Sequence, residues 1–358
     1  MDIELNKIIN RIDPIDRTWI EKAKERTARL VMPLRALGIL HDISEKLCGI
    51  QRTLHPRTDQ KAVLIMAGDH GVVKEGVNAY PQEITGEMVG TFFKGGAGIN
   101  ALAQTVDAQV WVADLGCIPD LSTRFSPLPD RLLIRKIKKG TDNFALGPAM
   151  SREDAVRSLL SGYELADSLF RSGVDILATG DMGIGNTTPS AAIGMVITGR
   201  NADDMVGRGT GIDDQGLENK RGVVRKGIER NRPDPKDGLD VLAKVGGFEI
   251  GGIAGCILAG AVHQHPVVID GFISTAGALI AHTLCPSVID YLFAGHCSAE
   301  NGHRLMLSHL GLEPILTLNM RLGEGTGAAL AMGIIDGAVR VFREVMTFEE
   351  AAVTEKKS

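Results

Sequence analysis

Aromatic residues, basic charge and long apolar runs are all scarce in this sequence. Aromatic side chains make up only 4% of its 358 residues. Lys and Arg number 39 against 44 Asp and Glu, for a net charge of -5, and no Lys- or Arg-rich stripe stands out, so nucleic acid is not expected as a partner. The longest uncharged apolar run of the later half, residues 250–262, is well short of the roughly 20 residues of a membrane span. We therefore expect a buried core helix there and no membrane partner.

Cysteine is also sparse, and its pattern excludes two classes of protein. The five cysteines are an odd number without a C-x-x-C pair, which argues against a disulfide scaffold and against a thioredoxin-like motif. Residues 1–40 are charged throughout and lack the apolar stretch and cleavage site of a signal peptide. These features predict a cytoplasmic protein.

Glycine, in contrast, is abundant: 43 residues, or about 12% against an average near 7%. From Lys61 onward, short β-branched runs alternate with longer helical patterns, which is typical of a parallel sheet covered by helices on both faces. The sequence therefore predicts an α/β fold with a Rossmann-like, doubly wound, mostly parallel sheet. The predicted strands are residues 62–66, 109–114, 174–179, 267–270, 291–294 and 314–318.

Several of these strands lead directly into glycine and polar residues. Ligands of open α/β sheets bind outside the carboxyl ends of the strands, so the loops that follow the strands should gather at one edge. The loops are AGDHG (67–71), TGDMGIGNTTP (179–189), IDGF (269–272), AGHCSAE (294–300) and RLGEGTG (321–327).

Outside the sheet, the sequence predicts a smaller helical unit. Residues 1–50 have an amphipathic helical pattern and should form a small helical domain, completed by the C-terminal helix at about 326–346. Residues 51–325 would form the Rossmann-like domain, and the charged segment 347–358 is expected to be a frayed tail. The segment NRPDPKD (231–237) predicts an exposed turn between helices.

The segment GIGNTT (183–188) follows a predicted strand and begins a helix. Backbone N–H groups at a helix N-terminus are unpaired and the helix dipole is positive there, so the segment favours a phosphate or sugar contact. The alternative is a tight turn that only caps its helix.

The RLGEGTGA segment contains G-x-G-x-x-A at Gly323, Gly325 and Ala328. A dinucleotide site should also have an acid at the end of a second strand about 20 residues later, and none follows here, so a nicotinamide dinucleotide is disfavoured. Glu324, between two glycines at a strand-to-helix turn, is a candidate general base. Its alternative role is to complement the helix dipole.

Other polar segments favour structural roles. In GRGTGIDDQGLENK (207–220), Asp213 or Asp214 is expected to cap a helix rather than hold a pyrophosphate or a metal, while Lys220 could reach an anion. The pairs His263 and His265, and His296 and His303, lack metal-ligand spacing, so no metal is expected. Asp69 and His70 are predicted to order a loop, and without a G-x-S-x-G elbow a hydrolase is disfavoured.

Taken together, the motifs resemble those of the nicotinate-nucleotide:dimethylbenzimidazole phosphoribosyltransferase family. The resemblance runs in the same order and spacing from about residue 6 to residue 345. The segments that carry it are AGDHGVVKEGV with AYP (67–81), GGAGINALA (95–103), GDMGIGNTTPSAAI (180–193), GRGTGIDD (207–214), GGFEIGGIAG (246–255), HCSAENGHR (296–304) and RLGEGTGAALAM (321–332).

The resemblance implies an enzyme that transfers the phosphoribosyl group of nicotinate mononucleotide to 5,6-dimethylbenzimidazole, giving α-ribazole 5′-phosphate and nicotinate for cobalamin. It implies a homodimer with shared active sites and no cofactor. A non-catalytic nucleotide-binding sensor with the same glycine loops is the alternative, and a dehydrogenase is a third possibility.

The resemblance also implies roles for individual residues. Glu324 would be the general base, and Asp181, where some members have Glu, an auxiliary acid or base. The substrate-binding residues would be Gly183, Gly185, Asn186, Thr187, Lys220, Ser298, Arg321, Leu322, Gly323, Tyr80 and Met88. Of these, Tyr80, Met88 and Leu322 would line the pocket for the base, and the subunit that supplies Lys220 stays open.

Overall fold

In the computed structural model, which describes residues 2–125 and 127–354, a seven-stranded parallel sheet forms the centre of the molecule. The strands are β1 (Lys61–Gly68), β2 (Ala108–Gly116), β3 (Leu132–Ile134), β4 (Ile176–Met182), β5 (Val267–Ile269), β6 (Leu292–His296) and β7 (Pro314–Leu316). Their order is β3-β2-β1-β4-β5-β6-β7. The order reverses between β1 and β4, as in a doubly wound fold, and the predicted α/β class is confirmed.

Six of these strands match the six predicted ones, with ends that differ by a few residues. The edge strand β3 was not predicted. It is three residues long and pairs with β2 alone. Its Leu-Leu-Ile run is followed by Arg135 and Lys136, so it lacks the length and the β-branched composition by which the others were found.

Fifteen α-helices surround the sheet in the described residues. They are α1 (Asp2–Ile9), α2 (Arg17–Ala28), α3 (Ile39–Gln51), α4 (Glu83–Phe93), α5 (Gly98–Gln104), α6 (Leu121–Arg124), α7 (Arg152–Arg171), α8 (Thr187–Thr198), α9 (Ala202–Met205), α10 (Asp214–Asn231), α11 (Gly238–Val245), α12 (Phe248–His263), α13 (Phe272–Leu284), α14 (His303–Leu310) and α15 (Thr326–Glu344). Short 3-10 helices lie at Gly71–Glu75 and Pro286–Tyr291. The segment 231–237 joins α10 to α11, as predicted.

The apolar run at 250–262 lies in α12, where every residue from Phe248 to Ala261 is buried. This confirms the predicted core helix. None of the helices in the described ranges is long and apolar enough to cross a membrane.

The N-terminal helices pack against the C-terminal helix. Ala23 of α2, Cys48 of α3 and Phe342 of α15 form a small cluster apart from the main core. Leu5 of α1 and Ile43 of α3 belong to the same main core as the strands, so packing is continuous across the predicted boundary at residue 50.

The segment after α15 differs from the frayed tail that was expected at 347–358. Thr347 is buried and pairs with Leu30 in an antiparallel bridge. The Phe348 N–H donates to the Arg29 carbonyl at 2.9 Å, and Glu350 lies 3.6 Å from Arg26. Backbone pairing with the end of α2 therefore holds residues 347–350, although residues 355–358 lie outside the described ranges.

Candidate active site

The five loops that follow the strands meet at the carboxyl edge of the sheet. A cavity of about 230 Å³ opens there. It is lined by Tyr80, Asp181, Thr187, Gly209, Thr210, Gly271, Phe272, Ile273, His296, Ser298, Glu300, Arg321, Leu322 and Gly323. The structure thus brings together seven of the predicted site residues, namely Tyr80, Asp181, Thr187, Ser298, Arg321, Leu322 and Gly323.

The GIGNTT segment forms a tight loop ahead of α8, which begins at Thr187. Glycine is needed at Gly183, where a Cβ would lie 2.3 Å from the Gly68 carbonyl oxygen, and at Gly185, where φ is +85°. The loop thus places Thr187, the first residue of α8, at the cavity wall, where the helix dipole is positive. The Thr188 N–H is already used, since it donates to the Gly185 carbonyl at 3.0 Å.

A buried ammonium group lies beside this helix N-terminus. Lys220 of α10, from the same chain, donates from Nζ to Thr187 Oγ1 at 2.7 Å and to the Gly207 carbonyl at 3.2 Å. Burial lowers its pKa to about 8, so a bound anion would stabilise its charged form. Asp213 caps α10 by accepting the Gly216 N–H at 2.8 Å, which confirms the capping prediction.

Glu324 lies in a turn in which three successive residues have left-handed backbone: φ is +80° at Gly323, +63° at Glu324 and +88° at Gly325. Its carboxylate is buried, and Oε2 accepts the Ile99 N–H of α5 at 3.0 Å. Burial raises the pKa of Glu324 and the charge of Asp270 adds to this, while the Ile99 N–H opposes it. A carboxylate in this setting suits a general base.

The alternative role of Glu324, complementing the dipole of α15, is filled by another residue. The N–H groups of Gly327 and Ala328, in the first turn of α15, are bound by Asp270 at 2.7 and 3.0 Å. Glu324 itself is directed to α5, so its carboxylate is not used in capping the helix that follows it.

Asp181, at the end of β4, is a second buried acid of the site. Its Oδ2 accepts a hydrogen bond from Asn186 Nδ2 at 2.9 Å, while Oδ1 has no hydrogen-bond partner among the described residues. Burial raises the pKa of Asp181 to about 8, with Asp270, Glu249 and Glu324 adding to the shift. Asp181 therefore carries a proton over much of the neutral pH range.

Six predicted residues are not among those that line this cavity, namely Glu324, Lys220, Gly183, Gly185, Asn186 and Met88. Arg321 and Ser298, which do line it, are held by backbone carbonyls. Arg321 Nη1 donates to the Gly209 carbonyl at 3.1 Å, and Ser298 Oγ donates to the Met320 carbonyl at 3.2 Å. Tyr80 and Leu322 are half or more exposed at the mouth. Met88, in contrast, is not among the residues that line this cavity, because its side chain packs against the main core.

Asp69 and His70 have the structural roles that were predicted. Asp69 accepts from Thr85 Oγ1 at 2.7 Å and from the Ile118 N–H at 2.8 Å, so it ties three segments together. His70 Nε2 lies 2.8 Å from Glu249 Oε1. Although burial opposes protonation, this carboxylate raises the pKa of His70.

Sequence reasoning missed Asp270 and His303. Asp270 follows β5 in the IDGF loop, and an acid at a strand end just before a glycine could have indicated it. His303 has no such local signal. Its Nδ1 accepts the Ser298 N–H at 2.8 Å and its Nε2 lies 2.8 Å from Thr275 Oγ1, while burial lowers its pKa to about 3, so it stays neutral and orders the loop at Ser298.

The described residues contain no group of three His, Cys, Asp or Glu side chains that could hold a metal ion. The polar groups at the cavity are instead carboxylates, hydroxyls and the cation Arg321, with a second cation, Lys220, behind Thr187. Such a set can bind an anionic nucleotide and accept a proton.

Comparisons with known proteins identify the family. A family model described as phosphoribosyltransferase matches residues 12–353. Nicotinate-nucleotide--dimethylbenzimidazole phosphoribosyltransferase of Desulforudis audaxviator is 50% identical over the full length of both chains. The chain belongs to this phosphoribosyltransferase family. The enzyme of the same name from Desulforamulus reducens is 52% identical over 98% of this chain and 99% of its own.

A solved member of the family has the same fold. The crystal structure of the Thermus thermophilus enzyme, named for the same activity, matches with a TM-score of 0.89 at 44% identity, and the match covers 96% of this chain and 100% of that one. Family and enzyme class are thereby confirmed as predicted, and the non-catalytic sensor is not favoured.

Proposed function

We propose that this chain transfers the phosphoribosyl group of nicotinate mononucleotide to 5,6-dimethylbenzimidazole, forming α-ribazole 5′-phosphate and nicotinate. The observation that carries the proposal is the buried Glu324 carboxylate, next in the chain to Gly323 of the cavity wall. The same cavity is lined by Thr187, the first residue of α8, to which the buried Lys220 donates. Full-length similarity to relatives named for this reaction supports the same substrates.

The reaction needs one proton acceptor. One nitrogen of the benzimidazole attacks C1′ of the nucleotide, and the proton on its other nitrogen passes to Glu324 as positive charge develops on the ring. The C1′–N bond to the pyridinium breaks with its electron pair on nitrogen, so nicotinate leaves without needing a proton. Attack on the face opposite the leaving group inverts the β configuration to α.

The nucleotide phosphate and ribose are assigned to the α8 end of the cavity. Gly183, Gly185, Asn186 and Thr187 would contact them, because the positive end of the helix dipole favours an anion and Thr187 adds a hydroxyl. Lys220 and Arg321 would supply the charge to the anion. This assignment uses the Lys220 of the same chain, which already contacts Thr187.

The aromatic base is assigned to the open end of the cavity. Tyr80 and Leu322 present apolar surface there, and burying a flat ring against them gains roughly 25 cal/mol per Å² of apolar area. Gly323 leaves room beside Asp181, since a Cβ at this position would lie 3.3 Å from either carboxylate oxygen of Asp181. Asp181 is assigned as an auxiliary acid or base, and Ser298 as a further substrate contact. Met88 would reach the base only if its side chain moved.

The assay mixes the purified chain with nicotinate mononucleotide and 5,6-dimethylbenzimidazole without added metal and follows free nicotinate and α-ribazole phosphate by chromatography with mass detection. Equal amounts of both products are expected. A nucleotide that binds without forming either product would instead favour the sensor.

Glu324→Gln is expected to lower kcat by at least about 100-fold, since general-base catalysis contributes roughly 10²–10⁴. The Kd for nicotinate mononucleotide should stay within about twofold, because Gln keeps the shape of the side chain. The control is Glu313→Gln, at an exposed residue next to the amino end of β7 and therefore at the opposite edge of the sheet. Full activity in Glu324→Gln would remove the base assignment.

A homodimer with shared active sites and a cytoplasmic location complete the proposal. Leu322 at the mouth of the cavity and Leu318, which follows β7, are more than half exposed apolar residues that a second copy could cover. All five cysteines are free and buried, which suits a reducing compartment. Light scattering tests the first expectation and fractionation of the native cell the second.

A further inference from the structure

A fully buried carboxylate binds the backbone on the C-terminal side of Glu324. Asp270 lies directly after β5 at the carboxyl edge of the sheet and has no exposed surface. Its Oδ2 accepts the Gly325 N–H at 3.3 Å, and its Oδ1 accepts the N–H groups of Gly327 and Ala328 at 2.7 and 3.0 Å. One side chain thus connects β5 to both the Glu324 turn and the first turn of α15.

We propose that Asp270 is a positioning residue for the transfer reaction, holding the turn at 323–325 so that Glu324 is fixed between α5 and the cavity. The inference rests on the proposed function, in which Glu324 is the base. Asp270 does not line the cavity. It acts through the backbone of the turn.

The turn needs such a restraint because its backbone is unfavourable. Glu324 has φ of +63°, a region that residues with a Cβ rarely adopt, and both neighbours are also left-handed. On the other side, a Cβ at Gly180 of β4 would lie 2.6 Å from the Glu324 carbonyl oxygen, so the turn is pressed against the sheet. Asp270 supplies hydrogen bonds that an extended or right-handed turn would lose.

The same carboxylate influences the basicity of Glu324. The groups that face Glu324 are Asp181 from β4, Asp270 after β5 and the Ile99 N–H from α5. His296 Nε2 of β6 lies 3.6 Å from Asp270 Oδ1. Negative charge on Asp270 disfavours negative charge on Glu324. Burial raises the pKa of Asp270, whereas His296 and the three N–H groups oppose this shift. Where Asp270 is ionised, loss of its charge should therefore make Glu324 a weaker base as well as a less ordered one.

The test is Asp270→Asn, which keeps the size of the side chain and an oxygen acceptor for Gly327 and Ala328. It removes the charge. It also places the amide NH₂ group, which is a donor, opposite the Gly325 N–H, so the hydrogen bond to Gly325 is lost. We expect kcat to fall by about 10-fold or more, since misplacement of a reacting group by about 1 Å can cost about 100-fold. The KM for nicotinate mononucleotide should change by less than about twofold, and the acid limb of kcat/KM should move to lower pH.

The matched control is Asp114→Asn. Asp114 is another fully buried strand-end carboxylate, which accepts the Cys117 N–H at 2.9 Å and pairs with Lys136 at 3.1 Å. It has no contact with the Glu324 turn, so this variant should lose stability without moving the acid limb. If both variants behave alike, or if Asp270→Asn keeps the wild-type kcat and acid limb, the proposal is overturned.

Two further measurements keep the outcome decisive. If Asp270→Asn does not fold, Asp270→Glu replaces it: the charge is kept but its oxygens are displaced, so kcat should fall while the acid limb does not move to lower pH.

Carboxyl ¹³C NMR of glutamate-labelled protein, assigned with Glu324→Gln, reports the titration of Glu324 without turnover. If the wild-type chain forms no product, the proposed function fails, whereas a Glu324 titration unchanged in Asp270→Asn would contradict the positioning role alone.

Discussion

At the scale of single residues, the site depends on carboxylates placed where water is excluded. Asp181, Glu324 and Asp270 are all buried, and burial raises the pKa of each. Glu324 could be found from the sequence because a charged residue between two glycines ahead of a helix is a local pattern. Asp181 could be named only through family resemblance, and its protonation depends on neighbours from other strands.

The raised pKa of Asp181 makes a prediction about stability and pH. The unfolded chain releases this proton near pH 4, whereas the folded chain holds it up to about pH 8. Between these values the folded state binds more protons than the unfolded state, so this group's contribution to stability falls as pH rises. Asp181→Asn, which resembles the protonated acid, should therefore raise the free energy of unfolding more at pH 9 than at pH 5.

Urea unfolding at the two pH values measures this difference. The control is Asp120→Asn, at an exposed helix N-cap where hydrogen bonds from Ser122 lower the pKa of the carboxyl. Asp120 is ionised at both pH values, so its substitution should have the same effect at each. An equal effect of Asp181→Asn at pH 5 and pH 9 would show that the acid is not protonated in the folded chain.

At the scale of elements, α7 and α12 approach each other through glycine. A Cβ at Gly255 of α12 would lie 1.9 Å from the Leu159 carbonyl oxygen of α7, and one at Gly162 of α7 would lie 1.9 Å from the Gly252 carbonyl oxygen. The backbones of α7 and α12 therefore pack in direct contact. The glycine content of α12 was visible in the sequence, but its partner helix was not, because periodicity reports which face is apolar and not what covers it.

This packing predicts opposite effects for the same substitution in two helices. Gly255→Ala should destabilise the chain by about 1–3 kcal/mol, because the added methyl overpacks a backbone contact. Gly222→Ala, in the exposed face of α10 with no atom within 4 Å of the new Cβ, should be neutral or stabilise by about 0.5–1 kcal/mol. Thermal and urea unfolding of both variants test this, and equal stability would mean that α7 and α12 are further apart.

At the scale of the whole molecule, the two ends of the chain close on each other. Residues 347–350 pair with the end of α2, and Ala23, Cys48 and Phe342 pack beside them. Composition had indicated a frayed tail, since the segment is charged and short. The composition of a short segment does not show that its backbone pairs with residues more than 300 positions earlier.

Truncation tests this closure. Removing residues 346–358 deletes the hydrogen bonds of Val31 to Met346 and of Phe348 to Arg29, each 2.9 Å long. At a net 0.5–1.5 kcal/mol for each bond, the free energy of unfolding should fall by about 2 kcal/mol. Removing only residues 354–358 leaves these bonds in place and should leave Tm unchanged. If both truncations leave Tm unchanged, the C-terminal pairing contributes nothing to stability.

The α/β class and six of the seven strands followed from the amino-acid sequence, as did Glu324 as a candidate base, because periodicity and glycine placement act over a few neighbouring residues. Tertiary structure decided which distant groups share one environment. Lys220 meets Thr187 across 33 residues, and Asp270 reaches Gly325 across 55. Burial and charge at these two contacts shift the pKa values, and hydrogen bonds to Asp270 hold the turn. These effects arise only when the fold brings the distant segments together.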